Sequence, residues 1–544
     1  MSRSSTEFIG TPTELFHWVP GEIVIVVRLP RIPLDDALDV LIGQVRAQLN
    51  DFLSDYQIAL EVYGTAGRWS ENPTMPPVRR RAFIFGLQRK QPLIALFFHT
   101  RRLDAQADDP VAQTLSYLHA NLEQFAQVGL SIVSAMPNWL MVTAPLMFSE
   151  GGPFAPPRSA PTLDVPATAN SLVGWHMKFQ DQKITRDLRD AEDVVVAVLD
   201  TAQHPDRIRS AATRPELRRN WLLQRLANDL RQEDGSFVVE YDRYPLTNEV
   251  RTGHGATGDP RYYLMPDHGL SVAGIIRDLA PRVHIRQIRV LNDFGGGDIY
   301  TLFAALTDLE RELVSGTVRR MVINLSLTIM PDIRRLPSIW FDQRRWPTTQ
   351  LASVTRFLQH IEEGLRLLFE SLFAEGALIV AAAGNDSLLT QQQNLSPRPP
   401  RSPARYESAL SVTALNSTFA PSGFANAANL PNQTSGVATF GGDTVGVLDA
   451  NGLPDAVRGI YISSTFSDGE QNVSGWADWS GTSFAVPTVS ALGAHLLAQG
   501  WSAENIMTRL ATSQERRSEA LFGTAPDVPE LLANRIRVQQ RFGV

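Results

Sequence analysis

The sequence predicts an α/β protein: a parallel β-sheet sandwiched by helices, preceded by a small α+β unit. Three observations carry this. From about residue 185 onward, strand-like apolar runs alternate with helical stretches, the pattern of a parallel sheet whose crossovers are helices. The first of these runs, Val194-Val195-Val196-Ala197-Val198-Leu199, is continuous rather than alternating, as befits a strand buried on both faces. Five prolines between Pro153 and Pro166, set among glycine, serine and alanine, divide the N-terminal unit from the larger C-terminal one.

The α+β unit occupies residues 1–144. Residues 21–27 (GEIVIVV) are a β-type run, and 34–53 carry helical spacing through Leu38, Leu41, Ile42, Val45 and Leu49. Residues 91–99 (QPLIALFFH) are again strand-like, and 111–125 are helical. Ser131-Ile132-Val133 and Trp139-Leu140-Met141-Val142 are expected as two strands around a turn at Pro137-Asn138. Residues 145–175 form the proline-rich linker, expected to be extended, exposed and open to proteolysis. The remainder, 176–544, is the α/β domain. Its further strands are expected at 285–291, 321–327, 377–383 and 409–415, and its helices at 270–278, 300–314, 350–373 and 484–499. Sites in such sheets form at the carboxyl ends of strands.

Composition narrows the function classes. A net charge of −7 with 20% charged residues gives no footprint for a nucleic-acid partner. The absence of cysteine excludes disulfides, a thiol nucleophile and thiolate metal sites. The first residues lack a basic region leading into an apolar run, and no stretch of about 18 apolar residues occurs, so neither a secretory signal nor a membrane span is expected and the protein is expected to be cytoplasmic. No oxygen-ligand pattern for calcium is visible, and no cofactor is expected.

Four residues stand out chemically. Asp200 comes directly after the buried run, at its carboxyl end, where a carboxylate can orient an imidazole; alone it is equally a turn-capping acid. His268 lies in PDHGLSVAGII, beside Gly269 and ahead of Ala273 and Gly274, which suit a helix packed tightly against the sheet. Ser483 lies in WSGTSFAVP at the start of a helix, where the dipole and free N–H groups favour a developing oxyanion; helix-capping serines are also common. Asn385 ends the run ALIVAAAGN, where a side-chain amide can donate to a carbonyl oxygen that is becoming negative. Their conjunction says more than any one of them. Acid, base and nucleophile in the order Asp, His, Ser is one of the known arrangements of this chemistry. His254, in TGHGATG, is a rival for the base but lacks the helical, small-residue context.

These segments resemble the subtilase family. Gly481-Thr482-Ser483-Phe484-Ala485-Val486-Pro487 is similar to its nucleophile signature GTSxAxP, and His268-Gly269-Leu270-Ser271-Val272-Ala273-Gly274 to HGxxVAG. Val196 to Thr201 resembles the aspartate strand, Ala382-Ala383-Gly384-Asn385-Asp386 the oxyanion segment, and Asn324-Leu325-Ser326-Leu327 the substrate-pairing strand. The likeness covers about residues 170–520. It implies a subtilisin-like serine endopeptidase working through an Asp200–His268–Ser483 triad and an acyl-enzyme. The Ser483 backbone N–H and the Asn385 side chain would form the oxyanion hole, and Ser326, Leu327, Thr328, Ala382, Ala383 and Gly384 would bind the substrate.

The likeness also implies that residues 1–144 act as a propeptide, inhibiting the enzyme with their tail in the cleft, with self-cleavage falling within 145–175. Partners would then be a protein or peptide substrate, the chain's own N-terminal domain, and an activating protein. The alternative is a catalytically silent binding or scaffold protein on the same fold. Departures from the family pattern are Ala202 and Thr328 where glycine is usual, Thr488 where histidine is common, and a long middle of the N-terminal unit at about 60–90. Long intervals imply insertions near 203–260, 329–365 and 417–475, and the calcium loop of many secreted relatives is missing after Ile275. Asp386, next to the oxyanion asparagine, is read either as a solvated acid or as the source of a preference for a basic residue before the scissile bond.

Overall fold

The apolar run at residues 21–27 folds, in the computed structural model, as the central strand of an antiparallel sheet. The structure describes residues 18–62, 82–104, 109–142, 156–160, 175–178, 193–230, 235–244, 246, 264–329, 360–388, 397–429, 436–444, 446–450, 452–512, 534–535 and 537–540. The N-terminal unit comprises β1 (Trp18–Arg28), α1 (Asp35–Ser54), β2 (Ile58–Val62), β3 (Ala82–Phe85), β4 (Leu93–Arg102), α2 (Val111–Ala120), α3 (Leu122–Gln127) and β5 (Ile132–Val142). β1 lies between β4 and β5, and the far edge of β4 carries both β2 and β3, all antiparallel. Ile42, Val45, Leu49 and Leu53 of α1 are buried at helical spacing, so this helix covers the sheet with one stripe.

Two expectations for this unit are corrected. The single helix expected over 111–125 is broken at Asn121, whose side chain donates to the Tyr117 carbonyl at 2.8 Å. Such a side-chain bond to a helical carbonyl competes with continuation of the helix. The turn expected at Pro137-Asn138 does not form: β5 runs unbroken through both. The β1–β5 register shifts between Trp18↔Trp139 and Ile23↔Pro137. Proline, which has no N–H for a ladder, is tolerated in a strand at such an irregularity.

The second unit is the expected parallel sheet. In chain order come β6 (Arg158–Ser159), β7 (Trp175–Lys178), β8 (Val195–Asp200), α4 (Pro205–Thr213), α5 (Trp221–Asp229), β9 (Phe237–Glu240), α6 (His268–Leu279), β10 (His284–Arg289), β11 (Gly296–Asp298), α7 (Ile299–Val314), β12 (Met321–Leu325) and β13 (Thr328–Ile329). The chain continues with α8 (Glu363–Ala374), β14 (Leu378–Ala382), β15 (Ala409–Leu415), β16 (Gly436–Phe440), β17 (Val457–Ile460), β18 (Trp476–Trp479), α9 (Thr482–Ala498), β19 (Asn534–Arg535) and β20 (Arg537–Gln540). Eight strands pair in the order β19-β16-β15-β14-β12-β8-β10-β9, every pair parallel. β8 and β12 sit inside this sheet, which explains the continuous apolar run of β8 and the burial of every residue of β12. Part of the proline-rich linker is docked rather than exposed: β6 pairs with β18, and Ala160 is buried. Among the described residues no helix is long and apolar enough to cross a membrane.

The face of the N-terminal sheet turned from α1 packs on α7. Phe83 and Phe97 meet Tyr300, and Phe85 and Phe97 meet Phe303, with ring centroids 4.9–6.0 Å apart. Such edge-to-face pairs add to the burial of large apolar area. Several polar groups at this interface are hydrogen-bonded across it. The buried Glu310 carboxylate accepts from Gly86 N at 2.8 Å and Leu87 N at 3.3 Å. Trp139 Nε1 donates to the Ile361 carbonyl at 3.1 Å. Asn138 donates to Glu22 at 2.6 Å and accepts from Tyr300 N at 3.1 Å.

A pH dependence arises at the same interface. His119 of α2 stacks on His360, with ring centroids 5.7 Å apart, and its Nε2 bonds the Ala135 carbonyl at 2.7 Å. Burial, with His360 beside it, pushes the His119 pKa down to about 4 from 6.5. Between these values the unfolded chain binds more protons than the folded one, so stability is full above 6.5 and falls as pH drops toward 4. His119→Gln keeps the donor to Ala135 and cannot charge. Between pH 6.5 and 4, wild type is expected to lose about 2–4 °C more in Tm than the variant. Because the comparison is a difference, it removes the opposing effect of Glu310, whose pKa burial raises. Equal Tm losses in the two proteins would contradict it.

Candidate active site

The carboxyl end of the parallel sheet gathers the four residues that stood out in sequence. Asp200 is the last residue of β8. His268 opens α6, and Gly269 explains how this helix comes so near. A Cβ at Gly269 would lie 2.1 Å from the Thr201 carbonyl oxygen and 2.9 Å from Asp200 Cβ, so only glycine lets α6 sit against the end of β8. As a result, His268 Nδ1 is 2.8 Å from Asp200 Oδ1, with both side chains fully buried. Asp200 Oδ1 also accepts from Thr201 N at 2.6 Å. An acceptor at Nδ1 places the proton on that nitrogen and leaves Nε2 with its lone pair.

Ser483 stands in the first turn of α9. Gly481 before it has φ +151°, a backbone region unsuited to other residues. Pro487 lies four residues after Ser483 inside the helix and has no N–H, so the Ser483 carbonyl lacks its helical partner. Ser326 supplies one: its Oγ donates to that carbonyl at 2.9 Å. Asn324 Nδ2 in turn donates to Ser326 Oγ at 3.1 Å, and Ser490 Oγ donates to Asn324 Oδ1 at 2.9 Å. This buried network pins α9 to β12. The Ser483 hydroxyl donates to the Ser326 carbonyl at 3.2 Å, while His268 Nε2 is buried with no hydrogen-bond partner. The His268 ring packs against Phe484, the residue after Ser483, at 5.1 Å between centroids. Asp200 and His268 are therefore bonded to each other, and the Ser483 hydroxyl is turned toward the end of β12.

Asn385 lies just beyond β14. Its Oδ1 accepts from Thr482 N at 3.0 Å and Thr482 Oγ1 at 2.9 Å. Those two donors fix the amide the right way round and leave Nδ2 to donate elsewhere. Ala382, Ala383, Gly384, Leu327 and Thr328 are all buried or lie at the end of the same strands. Thr328, one of the departures from the family pattern, is the first residue of β13. It pairs antiparallel with Val142, and Ile329 pairs with Met141. On the other side of β5, Gly296, Gly297 and Asp298 of β11 pair with Val142, Met141 and Leu140. The end of the N-terminal unit thus runs as a strand between β11 and β13.

Sequence reasoning passed over several supports of this site. Asp267, next to His268, is fully buried; it accepts from Gln203 at 2.7 Å and from Ile462 N, Ser463 N and Ser463 Oγ at 3.1, 2.8 and 2.7 Å. Burial raises its pKa, and the bonds from Ser463 and Gln203 partly offset this. It ties the start of α6 to the residues after β17. An acid beside the histidine was the only sequence signal for it. Asp386 is buried and already paired with Arg401. His254 lies outside the described residues, as do most of the residues proposed for self-cleavage. Among the described residues no cluster of three or more His, Cys, Asp and Glu stands ready to hold a metal ion.

Residues 191–541 match a family model described as Subtilase family, Peptidase_S8. No curated protein matches the chain. Among solved structures, one described as the crystal structure of a lanthipeptide protease is 18% identical, with a TM-score of 0.37 over 64% of this chain and 86% of that one.

Proposed function

The chain belongs to the subtilase family of serine peptidases, and from that premise we propose that it is a serine endopeptidase made as a self-inhibited precursor. The observation that carries the catalytic part is the buried 2.8 Å bond between Asp200 and His268, beside the helix start that bears Ser483. In this reading Ser483 leaves the Ser326 carbonyl and donates to His268 Nε2. As its Oγ attacks a peptide carbonyl, His268 takes the proton and later delivers it to the leaving amine. Asp200 holds the Nδ1–H tautomer and stabilises the imidazolium. The Ser483 N–H, on the positive end of α9, and Asn385 Nδ2 receive the developing oxyanion. Water then attacks the acyl-enzyme, with His268 again as base. Extended protein or peptide chains are the substrates, held as an added strand by Ser326, Leu327 and Thr328 and walled on the other side by Ala382, Ala383 and Gly384.

The precursor reading is supported by β5. Its last residues lie antiparallel to Thr328–Ile329 and to Gly296–Asp298, the position an extended substrate would take. The apolar packing on α7 holds it there, so residues 1–144 act as inhibitor until released, by self-cleavage within 145–175 or by a partner protein.

The test is covalent labelling with a fluorophosphonate and intact-mass mapping of wild type and Ser483→Ala. Label on wild type alone, and a cut within 145–175 in wild type alone, is the expected result. An unlabelled wild type, with the N-terminal unit removed, would make the chain a binding protein on this fold. Asn385→Ala is expected to lower kcat by about 10²–10³-fold with little change in KM, because the amide binds the oxyanion rather than the ground-state carbonyl. An equal rise in KM with kcat unchanged would assign Asn385 to substrate binding instead.

A further inference from the structure

Beyond Leu325 and Ala381 the paired strands β12 and β14 part, because residues 328–329 turn to β5 while residues 383–385 carry on toward α9. Both walls reach the start of α9, the Ser326 carbonyl accepting from the Ser483 hydroxyl at 3.2 Å and Asn385 Oδ1 from Thr482 N at 3.0 Å, so the space between them borders Ser483. In the proposed substrate pose, with the carbonyl facing Ser483 and Asn385 and the backbone along Ser326, the side chain before the scissile bond would point between these walls. Arg401 spans this space. Its backbone N donates to the Ala383 carbonyl on one wall at 2.9 Å, and its Nη2 donates to the Ile329 carbonyl on the other at 3.4 Å. Ile329 N is in turn bonded to the Ser402 carbonyl at 2.8 Å. The Arg401 stem lies tight behind Gly384, where an added Cβ would meet its Cγ at 2.9 Å.

The guanidinium is not there alone. Its Nη1 lies 3.3 Å from Asp386 Oδ2, and the two side chains are 3% and 0% exposed. Asn426 orients that carboxylate, donating to the same oxygen at 2.9 Å and accepting from Asp386 N at 2.9 Å. Asp386 thus has its cation inside the protein. A lysine or arginine arriving from substrate would have to displace Arg401, and an incoming carboxylate would compete with Asp386 for one guanidinium. Burying either charge without its own partner is costly.

We propose that the buried Arg401–Asp386 pair floors the primary specificity pocket, so that the enzyme accepts small uncharged side chains before the scissile bond and refuses basic, acidic and aromatic ones. This rests on the peptidase reading and deepens it, and it replaces the basic preference that Asp386 suggested from sequence. Arg401 is a specificity-determining residue in two ways: its stem removes volume, and its charge cancels that of Asp386. Arg401→Ala keeps the backbone bonds to both walls while removing stem and charge, leaving an acid at the floor of a deeper pocket.

The experiment uses irreversible peptidyl phosphonates that differ only in the residue at the reactive phosphorus: Ala, Phe, Lys and Glu. Covalent probes accumulate even while β5 occupies the cleft, and the ratio of labelling rates on one protein cancels the fraction of time that the cleft is open. Wild type is expected to label with Ala faster by about tenfold or more than with the other three. Arg401→Ala is expected to gain about tenfold or more toward Lys, and Arg401→Ala/Asp386→Asn to lose that gain and favour Phe. Wild type labelling at Ser483 with Phe, Lys or Glu as fast as with Ala would overturn the proposal and leave the peptidase reading standing. No labelling by any of these probes or by a fluorophosphonate would remove both. If Arg401→Ala fails to fold, the wild-type ranking alone decides.

Discussion

Ser483→Ala is expected to lower kcat by about 10⁶-fold while leaving the fold intact. The size follows from the proposed mechanism, in which the hydroxyl is the nucleophile: without it neither His268 as base nor the Asp200 carboxylate would have anything to act on, and removing one member of such a set costs nearly as much as removing all. What remains is the residual catalysis by the oxyanion donors and substrate binding, about 10³–10⁴-fold over water. The structural cost is small. The hydroxyl makes one hydrogen bond, to the Ser326 carbonyl at 3.2 Å, worth about 1 kcal/mol. The bond that pins α9 runs from Ser326 Oγ to the Ser483 main-chain carbonyl and survives the substitution. Peptide hydrolysis and thermal melts together check this. A variant that melts like wild type yet keeps more than a few per cent of the activity would exclude Ser483 as nucleophile.

Asp200→Asn is the second large effect, a fall of about 10³–10⁴-fold in kcat with KM nearly unchanged. Asp200 Oδ1 receives both His268 Nδ1 and Thr201 N. An asparagine carbonyl in the same place can keep both bonds, so the imidazole holds its position and the protein folds. What is lost is the negative charge facing the imidazolium that forms in the transition state, in a site where both side chains are out of water and the interaction is weakly screened. Steady-state kinetics on an activated pair of proteins settles it. A loss confined to KM, or one below about tenfold, would mean that the carboxylate merely fills space.

Much of this architecture was legible without coordinates, and the reason differs from element to element. The run VVVAVL could only be a strand buried on both faces, and it is. The glycine after His268 marked the close approach of α6, whereas the carbonyl freed by Pro487, and its capture by Ser326, emerged only in the structure. By contrast, Pro137 read as a turn because local chemistry favours one there, whereas β5 passes straight through it at an irregularity in its pairing with β1. The docking of the linker at β6 was equally hidden, since two residues of edge pairing leave no periodic trace.

The sequence by itself determined the class of fold, the family, and the four chemically suited residues, because backbone geometry and side-chain chemistry are local properties that a chain carries wherever it goes. Only the tertiary structure decided which of them meet and what surrounds them: that Asp200 and His268 are bonded, that the Ser483 hydroxyl faces β12, that β5 lies between β11 and β13, and that Arg401 neutralises Asp386 from 15 residues away. Those are matters of distance and burial between segments remote along the chain. They set the strength of a charge or a hydrogen bond, and residue identity alone does not fix them.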